Sequence, residues 1–293
     1  MNSYLPEGSH PLPAPYTQEA LRKAMHNGEI LEGIAVKCDE RHNLTVDLGC
    51  CLGIIPREEA AIGIREGNLR EIAILSRVGL PVCFHVQAMP PEEPPVLSRR
   101  SAQLEARMHL LNTLNPGDIV PATISNLSHF GAFCDIGCGI PALLGLENIS
   151  VSRIAHSRDR FSPQQKVFTI IKSIDREKQR FFLSHKELLG TWAQNAEQFR
   201  PGQTVTGTIR SVQPYGAFIE LLPNLSGLSD PVSELKAGDA VSVYIKSILP
   251  DRQKIKLVVL HRLDAAPQIP LHYRKTEGHM DFWEYAPGHF TVF

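Results

Sequence analysis

A chain of 293 residues, 43% hydrophobic and 21% charged, has room for two or three domains with cores of their own. It holds no uninterrupted apolar run long enough to span a membrane, and its six cysteines form no C-x-x-C pair, which argues against a membrane protein and a zinc ribbon. A formal net charge of −1 does not announce a nucleic-acid binder. The sum hides an uneven distribution, because 28–95 is acid-rich whereas 153–186 carries Arg158, Arg160, Lys166, Lys172, Arg176, Lys178 and Arg180. An anion-binding face is therefore expected in the middle and C-terminal parts.

In chain order, residues 1–27 read as an irregular arm and a short helix. The arm is Pro-rich and lacks the basic start and apolar stretch of a secretory leader, so a cytoplasmic protein is expected. Thr17 reads as a helix N-cap, with Ala20, Leu21 and Ala24 on one face and Asn27-Gly28 as the stop. A β-rich plan then recurs three times, over 28–108, 109–188 and 201–264, with a connector helix at 189–200 and an aromatic tail at 265–293. Copies two and three open alike: Pro116-Gly117 and Pro201-Gly202 are turns, and the β-branched alternation after each is a strand. An offset of 85 residues carries Phe130-Gly131-Ala132-Phe133 onto Tyr215-Gly216-Ala217-Phe218. Lys172-Ser173-Ile174 and Lys246-Ser247-Ile248 end a fourth strand, and turns at Asp175 and Asp251 lead to a fifth. Copy one keeps the strands, through Val46 to Gly49, Gly53 to Pro56, Pro81 to Met89 and Val96 to Ser98. Between Val36 and Cys51, however, it has no Phe, Tyr or Trp. Five short strands in about 70 residues fit a small β-barrel better than a sandwich. Helix-like segments, 102–114 and 186–199, join the copies as a semi-rigid string.

Two rings three residues apart, straddling a turn and the strand it opens, reach the same rim. Exposed there, they form a stacking platform for unpaired bases, since every base has a π-face. Any one ring could equally belong to a β-protein core; the repetition in one local context favours the platform. The tail, with Tyr273, Phe282, Trp283, Tyr285 and Phe290, is too aromatic for an unstructured segment, and strand character docked on a barrel or a partner is expected. Cys134 and Cys138 have no second Cys/His pair beside them, and His272, His279 and His289 fit no ligand spacing, so no metal and no cofactor is expected. No Walker loop, dinucleotide fingerprint, H-E-x-x-H or G-x-S-x-G occurs, which points away from an enzyme.

These residues resemble the S1 RNA-binding domain, a five-stranded OB-fold barrel. Copy two carries the resemblance most fully, through Gly117 and Val120, Phe130-Gly131-Ala132-Phe133, Gly145-Leu146, Asn148-Ile149-Ser150, Ile174-Asp175-Arg176 and Phe182 to Leu188. The connector Leu188-Leu189-Gly190-Thr191-Trp192 is similar to bacterial ribosomal protein S1-like chains, and the likeness covers roughly 28–264. It implies a mostly β protein of three tandem S1-type barrels joined by short helical connectors. The implied RNA surface comprises Phe130, Phe133, Asn148, Lys172, Asp175 and Arg180 in copy two, and Tyr215, Phe218, Lys246, Asp251 and Lys254 in copy three. Where the family often has His, copy two has Asn148 and copy three Asp230, which would repel a phosphate and weaken copy three. Copy three is also short between Asp230 and Gly238, which would trim the helical turn that usually plugs one barrel end. Copy one, acidic and without the rings, is a docking candidate for the small ribosomal subunit. The expected function is non-enzymatic binding of single-stranded RNA, messenger RNA in translation. The rivals are an assembly scaffold that has lost RNA binding and an accessory subunit of an RNA-processing or decay complex.

Overall fold

The computed structural model describes residues 4–9, 15–231, 234–265 and 271–293. Local chemistry sets the first helix, α1 (Gln18–Asn27): the Thr17 side chain accepts from the Ala20 N–H at 3.1 Å, and Gly28 ends the helix in the left-handed conformation. Leu21 and Ala24 are buried from this helix. The alternating sequence that follows forms β1 (Leu31–Cys38), β2 (Leu44–Asp47), β3 (Leu52–Ile55), β4 (Pro81–Ala88) and β5 (Val96–Ser98). A one-turn helix, α2 (Ile72–Leu75), lies between β3 and β4. These strands close a barrel in the order β1-β2-β3-β5-β4. Ser98 then caps α3 (Arg99–Thr113), accepting from the Ser101 N–H at 2.9 Å.

Barrel 2 repeats the order with β6 (Ile119–Ser128), β7 (Gly131–Asp135), β8 (Pro141–Gly145), β9 (Lys166–Asp175) and β10 (Arg180–Ser184). After α4 (Trp192–Ala196), barrel 3 comprises β11 (Thr204–Gln213), β12 (Gly216–Leu222), β13 (Leu225–Ser229), β14 (Ala240–Leu249) and β15 (Lys254–Leu263). In each barrel the third and fifth strands run parallel and the other neighbours antiparallel, the pattern of a closed Greek-key barrel. Inward positions carry the cores: Ile124, Ala132, Cys134, Leu144 and Phe181 in barrel 2, and Ile209, Ala217, Ile219, Val241 and Leu257 in barrel 3. The stretch between Asp230 and Gly238, expected to be short, includes residues 232 and 233, which lie outside the described residues.

The barrels touch one another directly, beyond a string joined by connectors. Between barrels 1 and 2 the N-terminal arm inserts Glu7, whose carboxylate accepts from Arg99 (2.7 and 2.8 Å) and from the Cys83 N–H (3.1 Å). The Glu7 N–H donates to Asp135 at 2.7 Å. Burial, with the nearby Glu7 charge, raises the Asp135 carboxyl to about 7. Between barrels 2 and 3, Ser152 N–H donates to Pro223 O (3.0 Å), Val151 N–H to Asn224 Oδ1 (3.1 Å), and fully buried Glu220 pairs with both Arg160 and Arg210.

The tail returns to barrel 2. Ile119 N–H donates to Gly278 O, and Met280 N–H to Gly117 O, both at 2.9 Å. A hairpin, β16 (Phe282–Ala286) and β17 (His289–Val292), follows. It buries Trp283 and leaves Phe282, Phe290 and Val292 exposed. The expected strand character is thus realised as a hairpin.

Candidate nucleic-acid interface

In barrel 2 the β6–β7 turn sets Phe130 just before β7, and strand alternation turns Phe133 outward while Ala132 and Cys134 enter the core. The two rings meet edge to face, with centroids 5.9 Å apart and planes at 86°. Phe130 is 47% exposed. In this geometry the ring that offers its edge keeps its faces available to a base. The glycine between the rings is required: Gly131 has φ 151°, and a Cβ there would overlap the Leu144 carbonyl oxygen on β8. Barrel 3 repeats the device. Tyr215 and Phe218 lie 6.3 Å apart at 88°, are 62% and 37% exposed, and flank Gly216 at φ 149°.

Register extends each platform across the barrel. Phe133 pairs with Leu143 on β8, which pairs with Phe182 on β10, so these three form one outward row. The corresponding row in barrel 3 is Phe218, Leu228 and Lys256. Barrel 2 thus carries a third ring, and barrel 3 a cation, at a position the sequence reading did not assign. The signal was present: in Phe181-Phe182 and Ile255-Lys256 the first residue is inward and the second outward, as alternation requires. In barrel 1 the row is Thr45, Ile54 and Val96, without a ring.

The other expected residues divide into groups. A β-bulge ejects Lys172 from β9, and its Nζ donates to Asn148 Oδ1 at 3.0 Å. Asn148 is buried, and its Nδ2 donates to Glu147 at 2.9 Å, so its amide anchors Lys172 and is already engaged on both sides. Lys246 stands at the equivalent bulge of β14 and is exposed. Asp175 closes the β9–β10 turn by accepting from the Lys178 N–H at 2.9 Å. Arg180, opposite Asp175, aligns with Pro141 rather than Leu143, which sets its Cα roughly 12 Å from that of Phe133 at ordinary strand spacings. Arg180 lines a cleft toward barrel 1 instead of the ring pair. Asp251 and Lys254 are exposed around the β14–β15 turn, and Asp230 is exposed just after β13.

The basic span expected to form an anion-binding face is only partly available. Arg160 is buried against Glu220, Lys166 Nζ donates to Gly8 O (2.6 Å), Arg176 to Leu111 O, and Lys186 Nζ to Glu147 O (3.1 Å). These cations hold the chain together. Lys166 and Arg176 are nonetheless exposed, as are Arg153, Arg158, Lys172, Lys178 and Arg180. Among the described residues, no three or more His, Cys, Asp or Glu gather where they could hold a metal ion. Nor, among them, is any helix long and apolar enough to cross a membrane.

Residues 113–186, which span barrel 2, match the family model of the S1 RNA binding domain. The chain is similar to the small ribosomal subunit protein bS1 of Leuconostoc lactis, 33% identical over 55% of this chain and 41% of that one. It is 31% identical to the bS1 homolog of Bacillus subtilis strain 168, over 59% of this chain and 49% of the relative. With bS1 of Staphylococcus aureus strain COL it shares 28% identity over 82% of its own length and 63% of the relative's. The chain therefore spans about half the length of the curated relatives it matches.

Proposed function

We propose that this chain, whose barrel 2 matches the S1 RNA binding domain and which is similar to bacterial ribosomal protein bS1, binds single-stranded RNA through barrels 2 and 3 without catalysing a reaction. In this reading it works in the cytoplasm and holds messenger RNA near the small ribosomal subunit during translation. The observation that carries the proposal is the pair of exposed, edge-to-face rings at the same strand position in two successive barrels. Stacking is worth ~1–3 kcal/mol per base, and it tolerates any sequence. Two linked platforms add avidity, so neither needs to be tight alone. Barrel 1, bare of rings, is assigned to docking on the small subunit; exposed Leu69, Ile72, Leu75 and Val78, on and around α2, supply the apolar surface for it.

Fluorescence anisotropy with a labelled unstructured RNA tests the first part. Saturable binding that weakens with salt and competes poorly with duplex is expected, and absence of binding at low salt would reject RNA as the ligand. Cosedimentation with small ribosomal subunits tests the second part, with Ile72→Asp and Leu75→Asp expected to release the protein into the supernatant.

A further inference from the structure

The rings of barrel 3 face a cleft that this barrel does not build alone. We propose that the cleft is a composite pocket for one unpaired nucleotide of a bound strand, with Arg153 of barrel 2 as its phosphate contact. The inference rests on the single-stranded RNA reading above and adds to it a site shared by two barrels, the connector and the tail.

The cleft measures about 520 Å³. That lies within the ~300–1,000 Å³ of small-ligand sites, enough for a nucleotide and too little for a duplex. Tyr215 and Phe218 of barrel 3, Val151 to Arg153 of barrel 2, Trp192 of the connector and Tyr285 of the tail line it together. Flat apolar walls suit a base, while Gln213 and Gln253 at the same cleft offer amides to a base edge.

The charge has one sign. Arg153 and Arg210 line the cleft, and no acidic residue does so among the described residues. Arg210 shares the single carboxylate of Glu220 with Arg160, so these three groups sum to one positive charge, with Asp159 acting on the Arg160 side. Counting Asp159, that group is neutral, and exposed Arg153 supplies the net positive charge. A cation beside flat rings recognises a phosphodiester carrying a base better than an acidic peptide, which offers nothing to stack.

The pocket is also fixed in advance. The Val151 and Ser152 N–H groups are anchored to Asn224 and Pro223 of barrel 3, and Tyr285 donates to Asn224 O at 2.6 Å. Binding therefore need not order these elements.

The test is a salt series of RNA anisotropy on the full chain, comparing wild type, Arg153→Ala, Tyr215→Ala with Phe218→Ala, and the triple variant. Arg153 is exposed, so its replacement leaves the fold intact. Arg153→Ala is expected to weaken binding several-fold at low salt and to flatten the slope of log K against log salt by about 0.7. In the background lacking both rings, the same substitution is expected to cost little, because the rings and the cation serve one nucleotide. If wild type binds RNA but Arg153→Ala changes neither affinity nor slope, the composite pocket is wrong and the RNA reading stands. An undiminished Arg153 effect without the rings would place Arg153 elsewhere on the RNA path and overturn the pocket as well. If wild type binds no RNA, both fall. A nucleoside monophosphate that displaces the strand as effectively, nucleotide for nucleotide, would reassign the cleft to a free nucleotide.

Discussion

At the scale of single residues, the platform depends on which side of a strand a side chain faces. The outward row of barrel 2 ends on Phe182 and that of barrel 3 on Lys256, although the strands are equivalent. Under the proposed function the two barrels would therefore grip RNA by different physics. Phe182→Ala removes a stacking ring, and an affinity loss of ~1–3 kcal/mol is expected with the salt slope unchanged. Lys256→Ala removes a phosphate contact, and the slope of log K against log salt is expected to flatten by about 0.7. Paired salt titrations of the two variants distinguish these outcomes; equal slope changes would refute the division. Asp230 points to copy three as the weaker site, whereas Lys256 and the neighbouring cleft supply positive charge that the local motif does not display.

At the scale of elements, the strands and their bulges follow from local sequence, while the packing between them does not. Pro116-Gly117 and Pro201-Gly202 mark turns, and the alternating residues after them can bury only one face, so both barrels and both ring pairs were legible. The tail's docking was legible as composition, but its target was not, because nothing near Tyr273 in sequence signals His185. That contact is a polar group built into an apolar site. His185 is fully buried among the rings of Phe161 and Tyr273. Its Nδ1 lies 2.7 Å from Ile149 O and its Nε2 3.1 Å from the Tyr273 hydroxyl, which fits a neutral imidazole donating to the carbonyl and accepting from the tyrosine. Burial lowers its pKa from 6.5 to about 4. Between those values the unfolded chain binds a proton that the folded one excludes, so stability falls as pH falls through the window. The full loss is roughly 3 kcal/mol at 1.36 kcal/mol per unit. Denaturant titrations at pH 7, 6, 5 and 4 read this loss as the difference between wild type and His185→Gln, since the raised Asp135 carboxyl contributes in the opposite sense to both. Wild type is expected to lose more than the variant as pH falls. Parallel curves for the two proteins would mean that His185 takes up its proton without disturbing the tail.

At the scale of the whole molecule, each junction is organised around one buried carboxylate and two arginines, with a second acid at the first. Glu7 meets Arg99, Arg77 and Asp135 between barrels 1 and 2, and Glu220 meets Arg160 and Arg210 between barrels 2 and 3. No local pattern reveals such pairs: Arg160 and Glu220 are 60 residues apart, and each reads in sequence as an ordinary surface charge. The burial of Arg160 removes one cation of the basic span from any anion-binding face. Glu220 is an outward residue of β12, buried by the neighbouring barrel, while Ala217, Ile219 and Leu221 fill the barrel 3 core. Replacing it therefore leaves that core intact but strands the nearly buried Arg160 guanidinium and the half-buried Arg210 beside it, at a cost of up to about 3–5 kcal/mol to the junction. Calorimetry of Glu220→Ala is expected to split the joint unfolding of barrels 2 and 3 into two transitions. RNA affinity is expected to fall with it, although Glu220 does not line the cleft, because Arg153 would no longer be held at the cleft that Tyr215 and Phe218 also line. Glu220→Gln keeps the shape and some hydrogen bonds, so an intermediate loss is expected from it. A single transition and unchanged affinity in Glu220→Ala would show instead that the backbone bonds of Val151 and Ser152 suffice to fix the two barrels, and that the charge triad contributes nothing to the site.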